Sequence, residues 1–162
     1  MSDRIESAPQ PQPAVIEGVD WIALGAPRPD PFTLRLSIGP AHISRIIPHV
    51  PNTTFVQWLE SMAVAHSASL GFDDAWHQQR DLIWFVRRHE IDYLAEVLEG
   101  DDLAMATWVE GFNKTSSPRR YLVYRERGQA VICRALTVWV LMSRSTRRPQ
   151  RIDPDMAAVY LA

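Results

Sequence analysis

Apolar and polar side chains recur with regular periods over most of the chain. Residues Phe32 to Ile38 alternate apolar and polar side chains with a period of two, which predicts a half-buried strand. Residues 55–70 instead carry apolar side chains over more than one helical face, which predicts a helix buried by other structure. Asn52 or Thr53 is expected to cap this helix, because short polar side chains can accept the first unpaired backbone N–H groups.

Strand-like patterns fill most of the chain after this helix. Four strands separated by short turns are predicted, the last of them apolar on both faces and therefore central, over residues 82–94, 103–112, 119–127 and 130–142. Asp153 or Asp155 is then expected to cap a short C-terminal helix. An antiparallel sheet curled around one apolar helix buries both surfaces in one core, which predicts a single α+β domain over residues 32–162.

The first 31 residues have a different character. Six prolines lie at positions 9, 11, 13, 27, 29 and 31, too many for a regular element. We expect residues 1–31 to form an arm that is extended or in part disordered. Residues 15–24 within it are apolar enough to dock on the domain.

Composition narrows the class of protein. With 162 residues, 46% of them hydrophobic, the chain suits one packed domain, and a net charge of −2 argues against nucleic acid as the main partner. The single cysteine, Cys133, excludes an internal disulfide and is typical of a reducing cytosol. Neither a signal peptide nor a membrane span is predicted, so we expect a cytoplasmic protein without membrane association. No Cys/His metal spacing or Gly-rich phosphate loop occurs, so no metal or cofactor is expected.

Several short stretches share the order and spacing found in one enzyme family. They are His49-Val50-x-Asn52 leading into residues 55–60, Val86 to Leu94, Gly100-Asp101, Thr107 to Glu110, Ser116 with Arg119 and Tyr121, and Thr137 to Val140. Together they resemble the hotdog-fold acyl-CoA thioesterases, in particular the 4-hydroxybenzoyl-CoA thioesterase-like group. The resemblance implies a hotdog fold, an antiparallel sheet wrapped around one long buried helix, and hydrolysis of an acyl- or aryl-CoA to the free acid and coenzyme A.

The same resemblance implies an assembly and a site. Members of the family pair their sheets into homodimers, often homotetramers, with the thioester between the helix start of one subunit and its neighbour. A helix-start amide polarises the thioester carbonyl while a carboxylate attacks it or activates water. Asn52 and Thr53 fall at this helix start, and we expect them to contribute backbone geometry rather than side-chain chemistry.

The usual catalytic aspartate of this family is missing. Its position, four residues before His49, is occupied by Arg45. A second version of the family places a catalytic glutamate on the helix about two turns after its start, and Glu60 falls there. Glu60 is therefore the candidate carboxylate, although it can equally serve as an ion-pair partner. His49 is either a base near the thioester or a packing residue of the loop.

The remaining candidates concern substrate binding. Arg45 either favours an anionic group at the pocket mouth or is an ordinary solvated side chain. Ser116 matches a family position near the thioester, although serines in turns usually bond to local backbone. A basic rim for the phosphates of coenzyme A is expected from four arginines, unless they only solvate the surface: Arg87, Arg88, Arg119 and Arg120.

Two other functions remain open at this level. Arg45 in place of the aspartate favours a non-catalytic acyl-CoA binding or assembly protein of the same fold. A hotdog dehydratase is the least supported reading, because its typical histidine and opposing carboxylate are not matched.

Overall fold

One six-stranded antiparallel sheet and one long helix organise the protein, whose computed structural model describes residues 8–162. The strands lie in the order β1-β2-β4-β5-β6-β3. A short 3-10 helix, Pro40–His42, follows β2. The elements are β1 Gln12–Pro13, β2 Phe32–Ser37, α1 Asn52–Ser69, α2 Asp74–Gln79, β3 Leu82–Tyr93, β4 Asp102–Val109, β5 Ser116–Arg125, β6 Ala130–Ser143 and α3 Pro154–Leu161.

The predicted α+β architecture and its antiparallel strands are confirmed. One difference lies at β5, which begins at Ser116 because residues 116–118 pair with residues 138–140 of β6. The sequence predicted a turn there, since serine and proline usually favour turns, but the pairing with β6 overrides that preference. β6 lies inside the sheet between β5 and β3, next to the edge rather than at its centre. The short helix α2 was not predicted.

The main core lies between α1 and one face of the sheet. Trp58, Leu59 and Met62 of α1 are fully buried there, against a layer that includes Leu34 of β2 and Met105 of β4. Such close packing of large apolar side chains supplies most of the stabilisation of a domain of this size.

The opposite face of α1 is open, so the prediction of a helix buried on every side is wrong for this chain. Glu60 is exposed and Val64 is 52% exposed. A single sheet can cover only one side of a helix, whereas the apolar positions of α1 extend beyond that side. This leaves a partly apolar helix face beside the sheet.

The N-terminal arm covers the other face of the sheet from residue 8 onward, and residues 1–7 lie outside the described residues. β1 pairs with β2, and Trp21 packs with Ile16 and Ala26 against Ala104 and Leu122. The small side chain of Ala104 lets the arm approach the strands closely. The docking expected for residues 15–24 is therefore present through Ile16 and Trp21.

The third apolar cluster closes the end of the domain beyond α1. Tyr160 and Met156 of α3 pack there with Leu141 of β6. Asp153 caps α3 by accepting a hydrogen bond from the Asp155 N–H at 2.9 Å, which confirms one of the two predicted caps. Among residues 8–162, no helix combines the length and the apolar character needed to cross a bilayer.

The packing of the arm predicts how much it stabilises the fold. Trp21 is 3% exposed, so we expect Trp21→Ala to lower the free energy of unfolding by about 3 kcal/mol, through lost burial and a residual cavity. Ile22 is 55% exposed, and Ile22→Ala should stay within about 0.5 kcal/mol of the wild type. Urea unfolding measures the free energy of unfolding of both variants. Far-ultraviolet circular dichroism is the readout, because it does not depend on the tryptophan that is replaced. Equal, small effects would show that the arm contributes nothing to stability.

Candidate active site

A cavity of about 630 Å³ runs along the open face of α1. Its helical wall is built by side chains spaced three or four residues apart, which share one face of a helix: Glu60, Ala63, Val64, Ser67 and Ala68. The facing wall comes from the sheet, with Trp84, Ser117, Arg119 and Trp139 among its residues. The same packing that seals one side of α1 against the sheet therefore leaves a groove of ligand size on the other.

Glu60 stands exposed at the rim of this cavity, within electrostatic reach of two partly or fully buried side chains. Burial lowers the pKa of His89, and the Glu60 charge opposes that effect. Burial raises the pKa of Tyr121, and the Glu60 charge adds to that effect. His89 is therefore mainly neutral at physiological pH, a state in which an imidazole can accept or pass on a proton.

His89 and Tyr121 belong to a small polar network beside Glu60. His89 Nδ1 lies 2.8 Å from Thr137 Oγ1, and Trp139 Nε1 donates to Tyr121 Oη at 3.1 Å. Neither residue was a candidate from the sequence, because they lie on β3 and β5 and only the sheet brings them near α1. Their presence in the family-like stretches was the available signal.

The start of α1 differs from the predicted cap in a way that matters chemically. The helix begins at Asn52 with Pro51 as its N-cap, and no side chain caps it, so capping by Asn52 or Thr53 is wrong. Both residues lie inside the first turn, Asn52 one position and Thr53 two positions too late to cap. Thr54 N–H bonds to the Pro51 carbonyl at 2.9 Å, but the N–H groups of Asn52 and Thr53 make no hydrogen bond within residues 8–162. Both residues are exposed, so these two partly positive groups are open to a ligand.

The helix start and Glu60 are too far apart in one chain to act on the same carbonyl. From Thr53 to Glu60 the helix advances about 10 Å, at a rise of about 1.5 Å per residue. A reacting carbonyl must lie about 3 Å from both its hydrogen-bond donor and its attacking group. In one chain, the helix-start N–H groups and the Glu60 carboxylate therefore lie at two separate places, and each is half of the expected site.

Three of the other predicted site residues lie outside the cavity. Arg45 is exposed and His49 is half-buried in the loop before α1, and neither lines the cavity. Ser116 is half-buried at the start of β5, whereas its neighbour Ser117 lines the cavity and donates to the Gly111 carbonyl at 3.0 Å. Adjacent residues of a strand face opposite sides, which explains why Ser117 rather than Ser116 reaches the cavity.

The expected rim of four arginines is not assembled in this structure. Arg87 and Arg88 are exposed on the edge strand β3, where Arg88 pairs with Glu90. Arg120 pairs with Glu110 at 2.7 Å, on a different strand from β3. Arg119 is buried and lines the cavity instead. Adjacent strand residues alternate between faces, so Arg119 and Arg120 cannot share one rim.

Arg119 makes its contacts with neutral groups. Its Nη1 atom donates to His66 Nδ1 at 2.8 Å and to Thr107 Oγ1 at 3.3 Å. Burial, followed by the charges of Arg119 and Arg28, lowers the pKa of His66 to about 3. His66 is therefore neutral at physiological pH, and its Nδ1 lone pair serves as the acceptor.

Other reactive groups have structural roles. Burial raises the pKa of the Cys133 thiol to about 12, so this cysteine is a core residue and not a nucleophile. Within residues 8–162, no group of three or more His, Cys, Asp or Glu side chains is arranged to hold a metal ion.

A match to a known protein family covers most of the chain. Residues 49–160 match the acyl-ACP thioesterase N-terminal domain. The chain belongs to this family. It is 30% identical over 109 residues to a chloroplastic acyl-[acyl-carrier-protein] hydrolase of Cuphea viscosissima, which aligns with 64% of this chain and 26% of that protein. It is 28% identical over 109 residues to a palmitoyl-acyl carrier protein thioesterase of Gossypium hirsutum, with the same coverage of 64% and 26%. The chain thus spans about a quarter of the length of these relatives.

Solved structures share the fold. A DHNA-CoA thioesterase from Staphylococcus aureus superposes with a TM-score of 0.71 and 20% identity, over 80% of this chain and 87% of that one. A 12:0-ACP thioesterase from Umbellularia californica gives a TM-score of 0.68 and 20% identity, over 78% of this chain and 51% of that one. The hotdog fold is confirmed, while the narrower 4-hydroxybenzoyl-CoA thioesterase-like group is not.

The buried His66 predicts a pH-dependent stability. Because its pKa is about 3 in the folded protein and near 6.5 when unfolded, the unfolded chain binds more protons between these values. The free energy of unfolding should therefore fall as pH decreases from about 6.5, by up to about 1.4 kcal/mol per pH unit. His66→Gln keeps an acceptor for Arg119 without a titrating proton and should flatten this slope. Urea titrations from pH 7 to 4 measure it, and parallel slopes in both proteins would contradict the assignment.

Proposed function

We propose that this protein hydrolyses an acyl thioester to the free acid and a thiol, with Glu60 as the essential carboxylate. The observation that carries the proposal is the position of Glu60 at the rim of the cavity along α1, in a chain of the acyl-ACP thioesterase N-terminal domain family. The acyl group lies in the cavity, along the part of its wall that contains Ala63, Val64 and Trp84. The thioester carbonyl lies at the rim, where water can reach it.

Each part of the site has one chemical task in this mechanism. The free N–H groups of Asn52 and Thr53 at a helix start polarise the carbonyl oxygen and stabilise the oxyanion. Glu60 either attacks the carbonyl carbon or accepts a proton from the attacking water. The carbon–sulfur bond then breaks, and the thiolate leaves and takes up a proton. Where Glu60 itself attacks, water then hydrolyses the mixed anhydride formed on Glu60, which releases the free acid and restores the carboxylate. Neutral His89 is held by Thr137, and the charge of Glu60 acts on it.

The separation of the two halves favours a homodimer. A second copy can bring its own helix start to the Glu60 of the first, which one chain cannot do for itself. The outer edge of β3 supports such pairing, because Leu82–Tyr93 is a long edge strand and Phe85 is 51% exposed on it. Long edge strands with exposed apolar side chains readily pair with another strand. A homotetramer would add a further contact between such dimers.

Two carriers of the acyl group have support. The curated relatives are named for acyl carrier protein thioesters, whereas one solved neighbour is named for a CoA thioester. Both carriers contain a phosphopantetheine arm. Arg144 lines the cavity, and the turn that joins Ser143 to Arg148 brings Arg147 next to it. These arginines are better placed for a phosphate than Arg87 and Arg88, which do not line the cavity.

A non-catalytic acyl-thioester binding protein is the alternative. Arg45 in place of the loop aspartate favours it, because no other carboxylate of that loop can replace the usual nucleophile. The matched family is also defined by a single domain, and the chain aligns with only part of the length of its relatives. In this alternative Glu60 has no chemical task.

Substitution of Glu60 distinguishes a thioesterase from a non-catalytic binding protein. We expect Glu60→Gln to lower kcat for octanoyl, lauroyl and benzoyl thioesters at least about 100-fold, with little change in KM, because a carboxylate that attacks or takes a proton is lost. Release of free thiol from CoA and from acyl carrier protein measures turnover for each acyl group. Asp74→Asn removes another carboxylate that lines the cavity and should leave kcat within about twofold. Turnover retained by Glu60→Gln would exclude Glu60, and tight binding without turnover in the wild type would establish the binding protein.

The edge of β3 supplies a second test. Phe85→Lys places a charge where the proposed dimer would bury an apolar ring, so it should shift the protein toward monomer and lower activity at the same protein concentrations. Sedimentation velocity at several concentrations measures the association. Val159→Lys changes an exposed apolar residue on α3 and should leave the association unchanged. A Phe85→Lys protein that stays dimeric with full activity would exclude this edge as the interface.

A further inference from the structure

The floor of the cavity contains a buried cation without a counter-ion. Arg119 is 4% exposed and lines the cavity, yet within residues 8–162 no carboxylate lies within 4.0 Å of its guanidinium. Its polar contacts are neutral His66 and the Thr107 hydroxyl. The nearest aromatic face is Tyr160, whose ring centre lies 5.8 Å from Cζ. Burial of an unpaired charge is costly, so a fold that retains one usually does so for a ligand or partner.

The guanidinium also has donors to spare. Both of its hydrogen bonds use Nη1, so Nε and Nη2 donate to no acceptor among the described residues. A guanidinium presents these N–H groups in a planar fork that matches the two oxygens of a carboxylate. The free donors of Arg119 therefore suit a single carboxylate.

The cavity sets the distance between this cation and the reacting carbonyl. Arg119 bonds to His66, next to Ser67, whose hydroxyl bonds to Tyr160 at 2.7 Å. From Glu60 to Ser67 the helix advances about 10 Å. An extended chain covers about 3.4 Å in three bonds, so about nine bonds separate the two ends. The wall between them includes Ala63, Val64 and Trp84, which suit methylene groups.

We propose that Arg119 binds a carboxylate at the far end of the acyl group, so that the preferred substrate is a thioester of a straight-chain dicarboxylic acid of roughly eight to ten carbons. The proposal rests on the proposed function, because it places the thioester at Glu60. It assigns to Arg119 the selection of the substrate and no part in the chemical step. An alkyl chain of the same length leaves the cation unpaired and therefore binds more weakly.

Binding tests the proposal without any need for turnover. We expect the wild type to bind the monomethyl ester of octanedioate at least about tenfold more tightly than methyl octanoate in calorimetry, because only the first ligand carries a carboxylate for the charge-assisted hydrogen bonds of Arg119. Arg119→Lys should keep part of this preference and Arg119→Met should lose it, whereas Glu60→Gln should keep it fully. Circular dichroism and thermal unfolding identify variants that have lost the fold. If neither Arg119 variant folds, the comparison of the two ligands with the wild type still tests the proposal. Binding of this half-ester that is equal to or weaker than binding of methyl octanoate by the wild type would overturn the proposal.

Turnover provides the second comparison. The ratio of kcat/KM for the ω-carboxyoctanoyl thioester over the octanoyl thioester should exceed about ten in the wild type and approach one in Arg119→Met. Hydrolysis of octanoyl thioesters with no preference for the dicarboxylic one would overturn the role of Arg119 and leave the thioesterase intact. Selective binding of the half-ester without hydrolysis of any thioester would support the role of Arg119 and refute the proposed function.

Discussion

The contact between one face of α1 and the sheet is the constraint on which the rest of the structure depends. Trp58, Leu59 and Met62 turn toward the sheet, and the helical period then directs Glu60, Val64 and Ser67 away from it. The cavity is the direct result, because a helix seated on a curved sheet leaves a groove along its flank. The length, wall and rim of the cavity follow from the rotation of α1 about its own axis. A rotation by one residue would turn Glu60 to the buried position that Leu59 now occupies.

Two charged side chains along this groove, Glu60 and Arg119, lie in opposite environments. At the rim, Glu60 remains exposed and acts on neighbours through its field, as its effect on His89 and Tyr121 indicates. At the floor, Arg119 is buried among neutral partners, and its charge helps to keep His66 unprotonated. An exposed carboxylate suits chemistry that needs water, whereas a buried cation is tolerated only when nearby groups or a ligand offset its lost hydration.

The geometry of α1 also explains why the site is divided. A straight helix cannot bring its first-turn N–H groups and a side chain two turns later to the same atom, whatever the side-chain rotamer. The free N–H groups of Asn52 and Thr53 and the carboxylate of Glu60 are thus complementary halves at different places. The open face of α1 and the unpaired edge of β3 are the surfaces on which a second copy can complete the arrangement.

The sequence by itself determined the class of fold and the nature of its main elements. Alternation in β2 and broad apolar coverage in α1 reflect local backbone geometry, and this can be read from spacing alone. Family-like stretches correctly indicated the hotdog fold and a family of thioesterase domains. They also singled out Glu60, whose catalytic role stays a prediction. The tertiary structure alone decided that Ser117 rather than Ser116 lines the cavity and that Arg119 lies in its floor rather than on a rim. It also decided that His89 lies near Glu60. Each of these outcomes depends on strand register and on contacts between distant residues, for which the order of amino acids along the chain carries no direct distance information.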